Sequence, residues 1–267
     1  MVRQTLRLGG ALAYIEGSLT MEEDRASVRS VERALDVLLI FAEHHELGLT
    51  DIAKHAGLHK STVFRLLHTL ERKGFIIRDE STERYRLGYR ILELASSMQH
   101  GDDPFLLVLP EMERLRDLLE ETISLYVRDG LERVRVQAVQ SQQIIRRVAP
   151  VGQRLPLFVG ASSKILVAFS DPEICKQLMQ DPSWPPALDR AIWQKTIEDI
   201  RRTNVAMSFE EREEGVAAIS VPVFRASGEL FAALTVSGPI QRLSKEKMEA
   251  MIPELFASAE KMKRLIR

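Results

Sequence analysis

The segment LTDIAKHAGLHKSTVFRLLHTLERKGFIIRDESTERYRLG, residues 49–88, carries three structural signals in succession. The first is a short helix over DIAKHAG, with Ile52, Ala53 and Ala56 facing inward and Gly57 closing it, because glycine alone enters the left-handed cap without a Cβ penalty. The second is a helix over HKSTVFRLLHTLERKG that ends at Gly74. Val63, Leu66, Leu67 and Leu70 recur at i, i+3, i+4 and i+7, one buried stripe. Ser61, Arg65, His68 and Arg72 occupy the opposite stripe, with Thr62 and Thr69 beside it. The third signal is a hairpin, FIIRD and RYRLG around the polar turn DESTE. Upstream, Val31, Ala34, Leu35, Leu38, Leu39 and Ala42 predict another helix, with Ser30 as candidate N-cap. Three helices and a hairpin in this order make a winged helix-turn-helix. Its last helix would present Lys60, Ser61, Thr62, Arg65 and His68 to a DNA major groove. Arg78, Arg84 and Arg86 of the wing would meet phosphates or the minor groove.

Charge agrees with that reading. The whole chain has a formal net charge of −1, yet Lys54–Arg90 holds nine Lys or Arg against four acids, a local balance of +5. A basic segment inside a neutral protein is the electrostatic footprint of a nucleic-acid-binding module, although a solvated basic face has the same composition.

The 267 residues suffice for two domains. Apolar residues are 45% and charged residues 28%, an ordinary balance for packed domains, and no apolar run approaches the roughly 20 residues of a membrane-spanning helix. Arg3, Arg7 and LGGALAYI resemble a signal peptide only loosely; residues 1–24 read as an irregular leader, or as sequence ahead of a true start at Met21. The single cysteine, Cys175, excludes an internal disulfide and fits a reducing cytoplasm; nothing near it in sequence activates it, so it reads as a packed residue. All six histidines fall within the first hundred residues. Residues 101–267 therefore cannot build a Ser-His or Cys-His nucleophile pair or a His-ligated metal site. No cofactor motif is present, and no metal is expected.

Residues 88–102, GYRILELASSMQHGD, read as a connecting helix ended by Asp102-Asp103-Pro104. Beyond it the chain alternates. Residues 105–121 are an amphipathic helix; ISLYVRDG, RVRVQAVQ and QIIRRVAP are strand-like; LPLFVGASSKILVAF is a strand or loop running into a helix. Residues 171–203 are helical around a break at Trp184-Pro185-Pro186, and both tryptophans, Trp184 and Trp193, can pack there without a ligand. AAISVPVF and LFAALTVSG form a hairpin, and a last helix begins near Ser244. The acidic run Glu210, Glu211, Glu213 and Glu214 could hold a cation, but a solvated segment before a strand has the same composition. The fold class is α+β: an N-terminal winged helix-turn-helix over residues 25–88, a linker helix over 89–103 and a sheet domain of sensor type over 104–267.

VRSVERALDVLLIF, GLTDIAKHAGLHKSTVFRLLHTLERKGFI and RYRLGYRILELA resemble the IclR-type regulators, as do RLPLFVGASSKILVAF, EEREEGVAAISVPVF and LTVSGPIQRLSKEKM. The resemblance spans residues 28–267. It implies a GAF-like effector domain in the C-terminal part, action as a dimer or dimer of dimers on double-stranded operator DNA, and control of small-molecule catabolism, as repressor or activator. It further implies an effector pocket under the loop Gly160–Ser163 and against the last sheet strand. Carried over, backbone amides of Ala161 and Ser162 would meet an anionic ligand at a helix start. Thr235 and Ser237 alternate on one strand face and could hydrogen-bond the same ligand. Ser208, Ala218, Leu155 and Ile144 fall at other lining positions. This chain departs from the family at three places: Ser163 replaces a usual Gly, Ala218 stands where some members have Cys, and Arg147 replaces an apolar residue. Arg147 in the pocket would bind a carboxylate bidentately, whereas a neighbouring register would turn Arg146 inward, or neither.

The expectation is a cytoplasmic, ligand-responsive transcriptional regulator, a repressor, whose effector is a small carboxylic or sugar acid and which has no membrane partner. The competing classes are an enzyme domain tethered to DNA and a constitutive architectural DNA binder.

Overall fold

The structure, a computed structural model, describes residues 27–97, 103–146, 148 and 150–266. The leader, the end of the linker and Arg147 lie outside these residues. The chain divides into two compact units, residues 1–98 and 99–267.

The N-terminal unit contains α1 (Arg29–Ile40), β1 (Leu47–Gly48), α2 (Leu49–Ala56), α3 (Lys60–Arg72), β2 (Ile76–Arg78), β3 (Arg84–Leu87) and α4 (Tyr89–Ser97). Gly57 closes α2 at φ 62°, the left-handed conformation its position required. Val63, Leu67 and Leu70 of α3 pack with Val37, Ile40, Ile52, Ile76 and Tyr85 into one core. The wing is antiparallel, with Ile76 opposite Leu87 and Arg78 opposite Tyr85; β1, which the sequence pattern did not reveal, adds a third strand beside β3. Asp79 shapes the turn by accepting from the amides of Ser81 and Thr82 at 2.8 and 3.0 Å. The start of α1 differs from expectation. Val28 precedes the helix with no side-chain cap bond, and Ser30 lies within its first turn. The core face of α1 also differs: Val37, Ile40 and Phe41 are buried, whereas Val31, Leu35 and Leu39 are exposed.

The C-terminal unit contains α5 (Pro104–Leu107), α6 (Leu109–Leu119), β4 (Thr122–Asp129), β5 (Glu132–Val139), β6 (Arg154–Pro156), α7 (Ala161–Ala168), α8 (Pro172–Gln180), α9 (Arg190–Thr203), β7 (Ala206–Phe209), β8 (Val216–Phe224), β9 (Leu230–Pro239) and α10 (Lys245–Leu265). The strands form one antiparallel sheet in the order β6-β5-β4-β9-β8-β7. Side chains alternate between its faces. Ile123, Leu125, Ile219, Val221, Leu234 and Val236 point one way, into a core shared with α6 and α10. The other face carries Tyr126 and Ala233, over which α7 and α9 pack with the edge-to-face pair Trp184 and Trp193. Cys175 lies half-buried against this second core, and burial pushes its thiol pKa up.

Two sequence expectations are corrected here. The described residues of QIIRRVAP form no strand: residues 142–145 are a bend, and β6 pairs with β5 in its place. The helix over 105–121 is two pieces meeting at Val108, since Pro110 has no amide to donate within a continuing helix. The edge strand β7 is additional. No helix among the described residues is long and apolar enough to cross a membrane.

Candidate functional site

In the N-terminal unit, Lys60, Ser61, Arg65 and His68 are exposed along α3, and Thr62 is half-buried beside them. The helix can spare this face because its opposite stripe fills the core. Arg84 is exposed on the wing, with Nη1 reaching the Glu46 carbonyl at 3.4 Å, and Arg86 is half-buried. Arg78 instead pairs with Glu83 at 2.7 Å. Among the described residues no carboxylate pairs with Lys60, Arg65, Arg84 or Arg86. Their charge stays available to phosphates.

The C-terminal unit contains a cavity of about 50 Å³ between the start of α7, the small-residue face of the sheet and the β7–β8 connection. That volume holds a few waters or one small polar group. The strand register explains its polarity. Thr122 stands opposite Ser237, and Ser124 opposite Thr235, on β4 and β9; Ser220 stands opposite Thr235, Ala218 opposite Ser237 and Ser208 opposite Ala218 on the next strands. Directly paired residues share a face, so one side of the sheet carries hydroxyls and methyls while the other is apolar. Ser220 donates to the Leu234 carbonyl at 2.9 Å, whereas the buried Ser124 hydroxyl has no partner.

Two arginines of β5 dominate the site. Arg133 and Arg135 are 4% and 1% exposed and lie two residues apart, hence on one face. Arg133 Nη1 donates to Ser162 Oγ at 2.9 Å and to Ser163 Oγ at 2.6 Å, and its guanidinium lies 5.2 Å from the Tyr126 ring centre. Its Nε is buried without a partner. Arg135 Nε donates to the Tyr126 hydroxyl at 2.8 Å, and its Nη1 to Gln153 Oε1 at 2.8 Å and the Pro150 carbonyl at 3.3 Å. Among the described residues neither arginine has a carboxylate within ion-pair distance. Burial pushes the Arg133 pKa down to about 10; Tyr126 and Glu211 act in the opposite sense, and the nearby cations of Arg212 and Arg135 add to the fall.

The start of α7 supplies the third component. Gly160 precedes the helix at φ 94°, and the first intrahelical bond runs from the Lys164 amide to the Gly160 carbonyl. The amides of Ala161, Ser162 and Ser163 therefore come before the ladder, at the positive end of the helix dipole. Glu211 reaches this end from the β7–β8 connection. Its Oε2 accepts from the Gly160 amide at 2.9 Å and its Oε1 pairs with Lys164 Nζ, which also donates to the Met207 carbonyl at 3.0 Å.

Six of the residues expected to form the pocket line this cavity: Ala161, Ser162, Ser208, Ala218, Thr235 and Ser237. Ser163 adjoins it, and its hydroxyl, absent from a glycine, donates to the Pro156 carbonyl at 3.0 Å while accepting from Arg133. Leu155 is buried in the core beside α7 and is not part of the cavity wall. Ile144 is 95% exposed on the bend after β5, away from the cavity, because the segment read as a strand is not one. Arg147 lies outside the described residues. Arg146 is exposed and donates to the Gln143 carbonyl at 3.2 Å, so it does not turn inward. Tyr126, Arg133, Arg135, Lys164 and Glu211 escaped the sequence reading. The RVRV alternation did hold a signal, since it places Arg133 and Arg135 on one strand face, but arginines in that pattern ordinarily mark the solvent side.

Comparison with known proteins agrees with both units. Residues 30–80 match the family model for the IclR helix-turn-helix domain, and residues 105–264 match that for the bacterial transcriptional regulator IclR C-terminal domain. The chain is 28% identical over 247 residues to the HTH-type transcriptional regulator KdgR of Escherichia coli, covering 91% of this chain and 94% of that one. It is 28% identical over 205 residues to the HTH-type transcriptional repressor AllR of the same species, covering 75% and 76%. The crystal structure of Pseudomonas aeruginosa HmgR superposes with a TM-score of 0.71 at 30% identity, over 90% of this chain and 99% of that one. With its C-terminal model alone matching more than half of the sequence, this protein belongs to the IclR family of bacterial transcriptional regulators.

Proposed function

We propose that this regulator is a cytoplasmic repressor of a catabolic operon and that its effector is a small carboxylic or sugar acid bound in the C-terminal cavity. One observation carries the effector class: Arg133 is buried at the cavity wall with its Nε unpartnered and, among the described residues, no carboxylate within ion-pair distance. A buried guanidinium without an ion-pair partner is costly, and an entering carboxylate would satisfy it with charge-assisted hydrogen bonds. The amides of Ala161 and Ser162 would reinforce that preference, and the hydroxyls of Ser208, Thr235 and Ser237 suit the hydroxyl groups of a sugar acid. Among the described residues no histidine or cysteine lines the cavity, which favours recognition over nucleophilic chemistry. Repression is inferred from the likeness to AllR, a transcriptional repressor. The working unit is a homodimer or a dimer of dimers. Val31, Leu35 and Leu39 lie exposed along α1 and offer an apolar seam to a second copy.

The test is a thermal-shift screen of the full chain against metabolic carboxylates and sugar acids, followed by binding to its own upstream DNA with and without each hit. An acid that raises the melting temperature and weakens DNA binding is the expected result. DNA binding with no response to any acid would overturn the effector class; an acid that strengthens DNA binding would overturn repression relieved by effector.

A further inference from the structure

Accepting the anionic-effector reading, we infer that the carboxylate subsite at the start of α7 is already occupied by the protein's own Glu211, and that the effector is an acid whose carboxylate takes its place. Glu211 makes the contacts an anionic ligand would seek there. One oxygen accepts from the Gly160 amide at 2.9 Å and the other pairs with Lys164 in the first turn of the helix. Arg133, 4% exposed and with an unpartnered Nε, lines the same cavity.

Two arguments favour displacement over simple addition. The first is space. A cavity of about 50 Å³ leaves little room for an organic acid's carboxylate while Glu211 stays in its wall. Most of that wall is strand or helix, hydrogen-bonded along its length. Glu211 instead belongs to the short connection between Phe209 and Val216, and its side chain is 29% exposed. The second is charge. A ligand carboxylate set beside Glu211 would place two like charges in a partly buried site, whereas exchange keeps one carboxylate against Lys164 and the Gly160 amide.

The connection is anchored independently at its ends. The Glu210 amide donates to the Val216 carbonyl at 2.8 Å, the Gly215 amide donates to Glu210 Oε1 at 2.7 Å, and the Ile240 amide donates to the Gly215 carbonyl at 2.8 Å. Glu210 and Gly215, at φ 53° and 77°, bracket the middle. Glu211 can therefore leave the Gly160 amide and Lys164 without unzipping β7 from β8. Exchange of one carboxylate for another makes the effector a competitor of an internal ligand, and this competition sets the concentration at which the regulator responds.

The experiment compares the full-length wild type with Glu211→Gln, using acetate and D-gluconate as probes. Dissociation constants come from calorimetric titration, and the state of the connection from the rate of tryptic cleavage after Arg212. The neutral side-chain amide introduced by the substitution still accepts from Gly160 but no longer neutralises Lys164, so E211Q should bind both acids at least tenfold more tightly than wild type. In wild type, saturating D-gluconate should speed cleavage after Arg212. An E211Q affinity equal to or below that of wild type overturns the displacement and leaves the anionic-effector reading standing. Slower cleavage of the liganded wild type does the same, by a measurement that needs no variant. If neither protein binds either probe while both bind DNA, the internal-ligand inference falls together with the acid-effector reading.

Discussion

Arg133 occupies the space where a side chain on residue 160 would project: a Cβ on Gly160 would lie 2.8 Å from Arg133 Nη1 and 2.9 Å from its Nη2. The backbone there is at φ 94°, a conformation L side chains rarely adopt. Gly160→Ala therefore combines strain with collision against a buried cation. The expected outcome is a loss of about 1–3 kcal/mol in the stability of the C-terminal unit, together with loss of acid binding, because the guanidinium must leave its contacts with Ser162 and Ser163. Chemical denaturation and ligand-induced thermal shift measure the two effects.

Arg133 should show the opposite trade. It is buried without a carboxylate partner, so replacing it by an apolar side chain of similar length removes an unpaired charge. Arg133→Met is expected to stabilise the free protein, by about 1–4 kcal/mol, while abolishing the melting-temperature rise given by acids. The pH dependence follows from the lowered Arg133 pKa of about 10. Below that value the wild type carries the charged, desolvated group, and the stability advantage of R133M is complete. As pH rises through 10 towards the ordinary, higher arginine value, the folded wild type loses the proton first, and the advantage shrinks. Thermal melts of both proteins across neutral and alkaline pH check this.

The difference between what the sequence disclosed and what it hid has a physical basis in these residues. The winged helix was legible because its signals are local: the Val63, Leu67 and Leu70 stripe and the left-handed Gly57 are each fixed within a few residues. The start of α7 and the Thr235/Ser237 face were legible for the same reason, helped by the family resemblance. Arg133 was not, because its role depends on β5 lying beside β4 and under α7, a relation between segments about thirty residues apart. Glu211 was read as one of a run of solvated acids, and only the fold brings it to the Gly160 amide, 51 residues away. Ile144 failed for a different reason. A run of apolar residues predicted a strand, but the chain bends there and leaves the isoleucine in solvent.

On the DNA side, residues of the two structural elements should differ in kind. Arg65, exposed on α3, is expected to read bases, and Arg84, exposed on the wing, to meet phosphate. Arg65→Ala is expected to cost about 1–3 kcal/mol on the cognate operator and to flatten discrimination against operators altered at one position. Arg84→Ala should weaken cognate and random DNA alike and reduce the slope of log affinity against log salt by about 1. Fluorescence anisotropy titrations on both DNAs at several salt concentrations separate the two patterns.

Glu111 joins two helices of the C-terminal unit. It accepts from Arg114 Nη2 at 2.7 Å within α6 and from Ser258 Oγ at 2.7 Å on α10, with Lys261 at 3.4 Å. Burial alone would raise its pKa, but the hydrogen bonds from Arg114 and Ser258 and the nearby cations hold it below the ordinary 4.5. A carboxylate with a lowered folded-state pKa contributes stability that is complete above its unfolded value and lost as pH falls through the folded one. Glu111→Gln should therefore cost about 1–3 kcal/mol at neutral pH, and the gap between variant and wild type should close below about pH 4.5. Urea unfolding at a series of pH values tests both statements.

The exposed seam on α1 makes the assembly testable. Leu35 is 54% exposed between Val31 and Leu39, residues spaced to lie on one side of the helix, while Val37 and Ile40 already fill the core. A helix with a second apolar side, exposed among the described residues, has a reason to meet another copy. Leu35→Glu leaves the core side untouched, so the domain should fold and melt within about 0.5 kcal/mol of wild type. In a dimer the two seams would face each other, and the new carboxylates would be brought together as like charges in an apolar contact. The expected outcome is a shift towards monomer in sedimentation velocity. Operator affinity should fall with it, because one recognition helix contacts too few base pairs for specific binding. Unchanged sedimentation and unchanged operator affinity in L35E would show that self-association uses another surface.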